Sequence, residues 1–343
     1  MASIQFRNSE IIADYHQPYY VAEINTSHFG DINLAKEMIE KAKDSGCNCV
    51  KFQSWSSESL YSETYYKENP IAKRFVKKFS FSEDDLSELI KHCNAIGISF
   101  SSTPYSNREV DFLANEKSVP FIKIASMELN NIPYLSYIAK TGIPIVLSTG
   151  MGDMDEIKTA IKVIENEGNK NICILHCVSI YPPDIKTIRL KNIIGLRNEF
   201  PSYPIGFSDH STGVEVSTAA VALGACLIEK HFTLDKTRIG MDNQMAAEPE
   251  EMTKLVSHCN NVQIAMGDLE RIVSSEELAQ RQNMRRSVIL NKNLSAGTKI
   301  NLDDLDVKRP GTGFPPSKIR DLVGKVLVKD VLADTLLSEG DFS

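Results

Sequence analysis

Residues 20–53 read YVAEINTSHFGDINLAKEMIEKAKDSGCNCVKFQ and hold one complete strand–helix–strand unit. The two ends, 20–24 and 47–53, are short β-rich runs, largely apolar rather than alternating, as expected of parallel strands covered on both faces. Between them, 32–45 sets Leu34, Met38, Ile39 and Ala42 on one stripe at helical spacing. Asp31 stands where an N-cap belongs, and Gly46 where a helix-ending glycine belongs. The same grammar repeats outward from this unit. Further runs at 98–103, 121–126, 143–149, 172–177, 203–208 and 226–230 bring the number of strands to eight. A second helix is clear at 81–95, with Leu86, Leu89, Ile90 and Cys93 on its stripe, Ser82 at its start and Gly97 at its end. Eight β-then-α units over about 250 residues are the arithmetic of a (β/α)8 TIM barrel. A doubly wound sheet is the alternative, but no G-x-G-x-x-G follows any run.

One spacing breaks the rhythm. The second strand ends near Gln53 and its helix begins only near Ser82, leaving the polar and aromatic insertion WSSESLYSETYYKENPIAKRF (55–75). It falls on the side where β-to-α loops build active sites, so it reads as a lid or as a plain surface excursion. After Met266 the composition changes. A charged helical segment is expected around 274–286, then short strands and turns to the end. The organisation expected is a barrel over 1–270, a linker helix over 271–284 and a small turn-rich β domain over 285–343. So small a domain has a thin core and gains by docking on a partner surface.

With 38 Lys plus Arg against 45 Asp plus Glu, the 343-residue chain carries a net charge of −7 and no basic block. That argues against nucleic acid and anionic membrane as partners. No apolar stretch nears the ~18 residues of a membrane span, and the N-terminus lacks a signal pattern, so a cytoplasmic protein is expected. Seven cysteines, four of them inside apolar strand-like runs (Cys47, Cys49, Cys173, Cys226), read as buried thiols rather than disulfides or metal ligands.

In such a barrel the C-terminal strand ends carry the chemistry. In order they offer Glu23; Lys51 and Gln53; Ser102 and Thr103; Lys123 and Ser126; Ser148 and Thr149; His176 and Ser179; Ser208, Asp209 and His210; Glu229, Lys230 and His231. Two lysines and several hydroxyls converging on one mouth make a cradle for an anion bearing a carboxylate and a phosphate. His210 and His231, on neighbouring strands, either reach one divalent metal or stand as ordinary polar histidines. Glu23, on the strand that closes the barrel against the eighth, is a candidate base or a stabiliser of developing positive charge.

The runs AEINTSHFG (22–30), KFQ (51–53), SSTPYS (101–106), FIKIASMELNN (121–131), VLSTGM (146–151), LHCVSIYPP (175–183), GFSDHSTG (206–213) and ALGACLIEKHFTLD (222–235) occur in order. Together they resemble the sialic acid synthase family, the phosphoenolpyruvate-dependent nonulosonate synthases. The tail, with KRPGTG (308–313) and LVGKVLVKDVLADTLL (322–337), is similar to that family's antifreeze-like (SAF) domain. The resemblance implies a barrel plus SAF domain, a homodimer with exchanged SAF domains, and a requirement for Mn²⁺ or Mg²⁺. By motif it implies that His210 and His231 hold the metal, and that Lys51, Thr103, Lys123, Ser126, Ser148, Ser179 and Ser208 hold phosphoenolpyruvate. It sets Glu23 beside the reacting carbons, Gln53, Tyr181 and Asp242 near metal or sugar, and Arg309 of the partner's small domain at the acyl group. The sequence departs from the family's N-H-N-G, G-S-G-E and G-P-D-H at Ser27-His28-Phe29-Gly30, Ala125-Ser126-Met127-Glu128 and Gly240-Met241-Asp242-Asn243. These changes fall where the sugar would lie. A seven- or eight-carbon ulosonate synthase would lack the tail, a Schiff-base lyase would not need the histidines and serines, and a carbohydrate- or ice-binding role ignores the barrel mouth. The amino sugar stays open among N-acetylmannosamine, its phosphate and diacetamido-trideoxyhexoses.

Overall fold

The computed structural model describes residues 1–343. Its strands are β1 (Ser3–Gln5), β2 (Ile11–Ala13), β3 (Tyr19–Glu23), β4 (Cys49–Ser54), β5 (Ser99–Pro104), β6 (Ile122–Ile124), β7 (Ile145–Ser148), β8 (Ile172–Cys177), β9 (Ile205–Asp209), β10 (Leu227–His231), β11 (Ser287–Leu290) and β12 (Leu305–Lys308). Strands β3 to β10 close into a parallel barrel in sequence order, β10 pairing with β3. The eight-stranded barrel read from the sequence is therefore the fold. Its strands have buried residues on both faces, which is why they read as continuous runs. One face packs inside the barrel (Val21, Cys49, Val146, Leu175) and the other under the helices (Ala22, Val50, Phe52, Ile124 with Met38, Ile39 and Leu89).

Local chemistry frames the helices as expected. Helix α1 (Ile32–Asp44) begins at Asp31, whose carboxylate accepts from the Asn33 and Leu34 amides. The insertion, in contrast, is no irregular excursion. It folds into α2 (Glu63–Glu68) and α3 (Pro70–Phe79) before α4 (Glu83–Ile96), which opens with a Ser82–Asp85 capping box and ends at Gly97 (φ 75°). Asn69-Pro70 divides the stretch into two helices, and Pro70 at the first helical position starts α3, which buries Val76 and Phe79. Trp55, Tyr66 and Val76 make a small core of their own with Leu60, Ala72 and Tyr105.

The hairpin β1–β2 leaves no mark in the sequence, since three-residue strands carry no readable period. Its Ile4, Phe6 and Ile12 close the N-terminal end of the barrel against Tyr19, Phe121, Cys173 and Cys226, with the Phe6 and Phe121 rings 4.7 Å apart. All seven cysteines are buried and free. No helix is long and apolar enough to cross a membrane.

The chain divides into two compact units, Met1–Gly267 and Asp268–Ser343. Within the second, a helix spans Ser275–Met284, β11 pairs antiparallel with β12, and isolated bridges join the remaining turns. Its core is small: Val288, Leu290, Ile300, Leu305, Leu322, Leu327, Val331 and Leu337.

Candidate active site

Alternation along each strand decides which polar residues meet. Val21 packs inside the barrel, so Glu23, two residues on, turns inward as well. The same phase carries Lys51 and Gln53 from Cys49, Lys123 from Phe121, Ser148 from Val146, and Glu229 and His231 from Leu227. These side chains line one cavity of about 570 Å³ at the C-terminal strand ends, joined by Thr103, Ser126, Ser179, Tyr181, Ser208, His210 and Asp242. Every residue assigned to the barrel by motif is thus brought together. The other phase turns away. His176 bonds the Ile188 carbonyl at 2.6 Å and stacks on Phe207, Ser102 pairs with Ser54, and Thr149 donates to the Leu175 carbonyl. Lys230 and Asp209 form a buried ion pair at 2.9 Å, the carboxylate also accepting from Ser217. Grouped by sequence with the converging set, these five belong to the barrel wall.

The floor of the cavity is a charge ladder. Lys51 pairs with Glu23, lies 3.7 Å from Glu229 Oε2, and donates to Thr103 Oγ1 at 3.1 Å. Lys123 lies 3.7 Å from Glu229 Oε1 and donates to Ser148 Oγ at 2.7 Å. Ser208 donates to Glu229 at 2.8 Å. Burial would raise the Glu229 carboxyl, but Lys123 and Lys51 together hold it well below the usual glutamate range. Burial lowers Lys123 and raises Glu23 against the pull of Lys51. Gln53 donates to Glu23 Oε1 at 3.2 Å and accepts from the Tyr105 hydroxyl at 2.8 Å, which fixes the carboxylate's orientation.

Above the ladder the two imidazoles stand 5.2 Å apart, centroid to centroid, with the Tyr181 ring 4.1 Å from His210. His210 Nδ1 donates to the Val178 carbonyl at 2.8 Å, and His231 Nδ1 to Asp242 Oδ2 at 2.6 Å. Each ring so turns Nε2 away from these partners, His210 Nε2 to a long 3.5 Å contact with Ser208 Oγ, an arrangement that suits metal-ligating histidines with oriented outer partners. Burial, with His231 beside it, drops His210 to about 4, so it is neutral. Burial alone would lower His231 too, but Asp242 holds it above the usual imidazole value. Asp242 Oδ1 is buried with no hydrogen-bond partner, and Asn25 donates to the other oxygen. No third His, Cys, Asp or Glu completes a metal-ligating cluster, so a cation here would draw further ligands from substrate or water.

The hydroxyl cradle depends on a glycine. Ser126 Oγ accepts from the Gly150 amide at 3.0 Å. A Cβ on Gly150 would sit 2.3 Å from Ser179 Oγ and 2.7 Å from Ser126 Oγ, so only glycine lets both serines close on the loop. Arg309 follows β12 in the second unit, where it is exposed. Glu229, a strand-end residue to which the sequence assigns no role, is the centre of the ladder. The signal was present, because it shares the inward phase of His231 on the same strand. Asn25 and Tyr105 carried no such signal.

The NeuB family matches residues 38–271, and the SAF domain matches residues 285–343. The chain is 37% identical over 332 residues to the N,N'-diacetyllegionaminic acid synthase of Legionella pneumophila, covering 93% of each chain. It is 37% identical over 334 residues to the N-acetylneuraminate-9-phosphate synthase of Mus musculus, covering 94% of this chain and 92% of that one. Among solved structures, the N-acetylneuraminic acid synthetase of Leptospira borgpetersenii, in complex with citrate, superposes with a TM-score of 0.75 at 33% identity. That match covers 81% of this chain and 96% of the other.

Proposed function

Because the chain belongs to the NeuB family, we propose that it is a nonulosonic acid synthase, a transferase that condenses phosphoenolpyruvate with an open-chain N-acylated amino hexose and releases phosphate. The observation that carries this reading is the buried Lys51–Glu229–Lys123 ladder, ringed by hydroxyls, beneath two imidazoles whose Nδ1 atoms are tied to Val178 and Asp242. Lys51 and Lys123 bind the carboxylate and phosphate by charge-assisted hydrogen bonds, helped by Thr103, Ser126, Ser148, Ser179 and Ser208. His210 and His231 would hold a divalent ion, Mn²⁺ or Mg²⁺, which would supply Lewis-acid polarisation of the sugar aldehyde. The enol carbon forms the new bond to the aldehyde carbon as its C=O π bond opens, and the oxyanion left there takes, by way of Glu23, the proton that water gives up on adding at C2. Positive charge then develops at C2, where the Glu23 carboxylate stabilises it and accepts a proton from the adding water. The hemiketal phosphate collapses as its C–O bond breaks and its hydroxyl proton passes to the departing phosphate, leaving a keto acid and inorganic phosphate. Gln53 and Tyr181 orient Glu23 and the sugar, and Asp242 keeps His231 in place.

Phosphate release should require phosphoenolpyruvate, an N-acylated amino hexose and metal together. Chelator should abolish it and Mn²⁺ restore it. A His210→Ala, His231→Ala double variant that turned over normally without metal would remove the metal from this scheme, and silence with every amino hexose would end the synthase reading.

We read the protein further as a homodimer whose second unit offers Arg309 to the partner's sugar, a guanidinium fork suiting an acyl carbonyl. Lys123→Met and Arg309→Ala chains, each inactive, should then recover activity after subunit exchange, because one site of the hybrid combines two unmutated halves. A proven hybrid without recovery refutes the exchange, as does a monomer at micromolar concentration.

A further inference from the structure

The barrel closes where β3 meets β10, with His231 opposite Glu23 in the register. Asn25 lies in the loop after β3 and Asp242 in the loop after β10, and both line the cavity. They are 9% and 7% exposed, so each is more than nine-tenths buried. Asp242 uses one carboxylate oxygen twice. Its Oδ2 accepts from His231 Nδ1 at 2.6 Å and from the Asn25 amide nitrogen, while Oδ1 has no partner. A carboxylate held by one ring alone could turn half a revolution and present either oxygen. The second donor removes that freedom.

Asn25 makes this contact at a double cost. Its φ is 43°, in the left-handed region that side chains disfavour, although asparagine tolerates it better than most. A carboxylate only accepts, so the amide must turn its NH₂ group to Asp242, and Asn25 Oδ1 is left buried without a partner. A strained backbone and an orphaned polar atom, both tolerated for one hydrogen bond, point to a function for that bond.

We infer that Asn25 is a positioning residue for the divalent ion: by pinning Asp242 it holds the His231 ring in the orientation that turns Nε2 away from the carboxylate, and so raises the affinity for the metal. The inference rests on the reading that His210 and His231 hold that ion. The neighbouring Asn243 is tied to Thr233 at 2.5 Å and to the Asp235 and Arg238 carbonyls, which fixes the loop backbone but not the rotation of the Asp242 side chain. That rotation is left to Asn25. His210 needs no such device, because its Nδ1 donates to a backbone carbonyl, that of Val178.

The test reads Mn²⁺ binding to the full chain, freed of metal by chelator, through the electron paramagnetic resonance of the unbound ion. Outer partners of metal-ligating histidines are worth about 10–100-fold in affinity. Asn25→Gly, one step further out, should weaken binding about tenfold, and Asp242→Ala by at least as much. The double variant should bind no more weakly than Asp242→Ala alone, because Asn25 then has nothing to pin. The metal-free melting temperature of Asn25→Gly should not fall, since glycine takes a positive φ freely and the orphaned oxygen leaves with the side chain. In phosphate release, the Mn²⁺ concentration for half activation should rise about tenfold, while kcat at saturating Mn²⁺ and KM for phosphoenolpyruvate stay near their wild-type values. Wild-type affinity in Asn25→Gly overturns the inference and leaves the metal reading intact. So does a further loss when it is added to Asp242→Ala, or a loss matched by a lower metal-free melting temperature, since either makes Asn25 a structural residue. If the wild-type chain binds no Mn²⁺, or binds it equally well after His210→Ala and His231→Ala, the metal reading itself falls and takes this inference with it.

Discussion

Replacing Glu229 with Ala should destabilise the barrel by about 3–5 kcal/mol, the cost of breaking a buried ion pair from one side. The carboxylate lies between Lys51 and Lys123, 3.7 Å from each ammonium group. Glu23 still compensates Lys51 in the variant, but Lys123 is left buried beside Ser148 with no counter-charge. Adding Lys123→Met should therefore recover much of the loss, because the stranded charge disappears with its partner. Urea midpoints at constant m-value would measure both steps. A midpoint unmoved by Glu229→Ala would mean the carboxylate does not hold the ladder together. The same residue sets an acid limit. Its stabilising contribution is complete above the ordinary glutamate value, about 4.3. It is lost as pH falls through the folded value near about 2, where the carboxyl finally takes its proton.

Glu23→Gln should have the larger effect on turnover. The amide keeps the shape and can still bond Gln53, but it can neither take a proton from water nor offset positive charge at the reacting carbon. A fall in kcat of about 10²–10⁴-fold is expected, typical of a lost general base. KM for phosphoenolpyruvate should move much less, because Lys51 retains Glu229 as a counter-charge. Steady-state phosphate release, with thermal unfolding as a control, separates the two constants from damage to the fold. A variant that kept wild-type kcat would take Glu23 out of the chemistry.

Much of this protein was legible in its sequence, for local reasons. Asp31, Ser82, Gly46 and Gly97 punctuate the helices through their own backbone and side-chain chemistry, without help from the rest of the chain. The strands announced themselves because both of their faces are buried, and eight in rhythm allow one architecture above others. The polar residues at their ends marked the mouth of the barrel, and the ordered motifs named the reaction class expected there.

Tertiary structure decided what depends on phase and register. His176 and Ser179 look equivalent at the end of a run, yet one bonds a carbonyl in the helix layer and the other lines the cavity. Lys230 sits between Glu229 and His231 in sequence but points the opposite way, to Asp209. Period-two alternation says that neighbours separate; closure of the barrel determines which of them goes inside. Glu229 gained its place only because closure brings β10 next but one to β4 and opposite β6, setting one carboxylate between two lysines far apart in the chain. The aromatic insertion needed the fold as well, since α2 and α3 hold their shape around Trp55, Tyr66 and Val76, which meet only once the chain has folded. Local propensity wrote the barrel into the sequence; which charges meet inside it is a non-local fact, set by the geometry of closing eight strands.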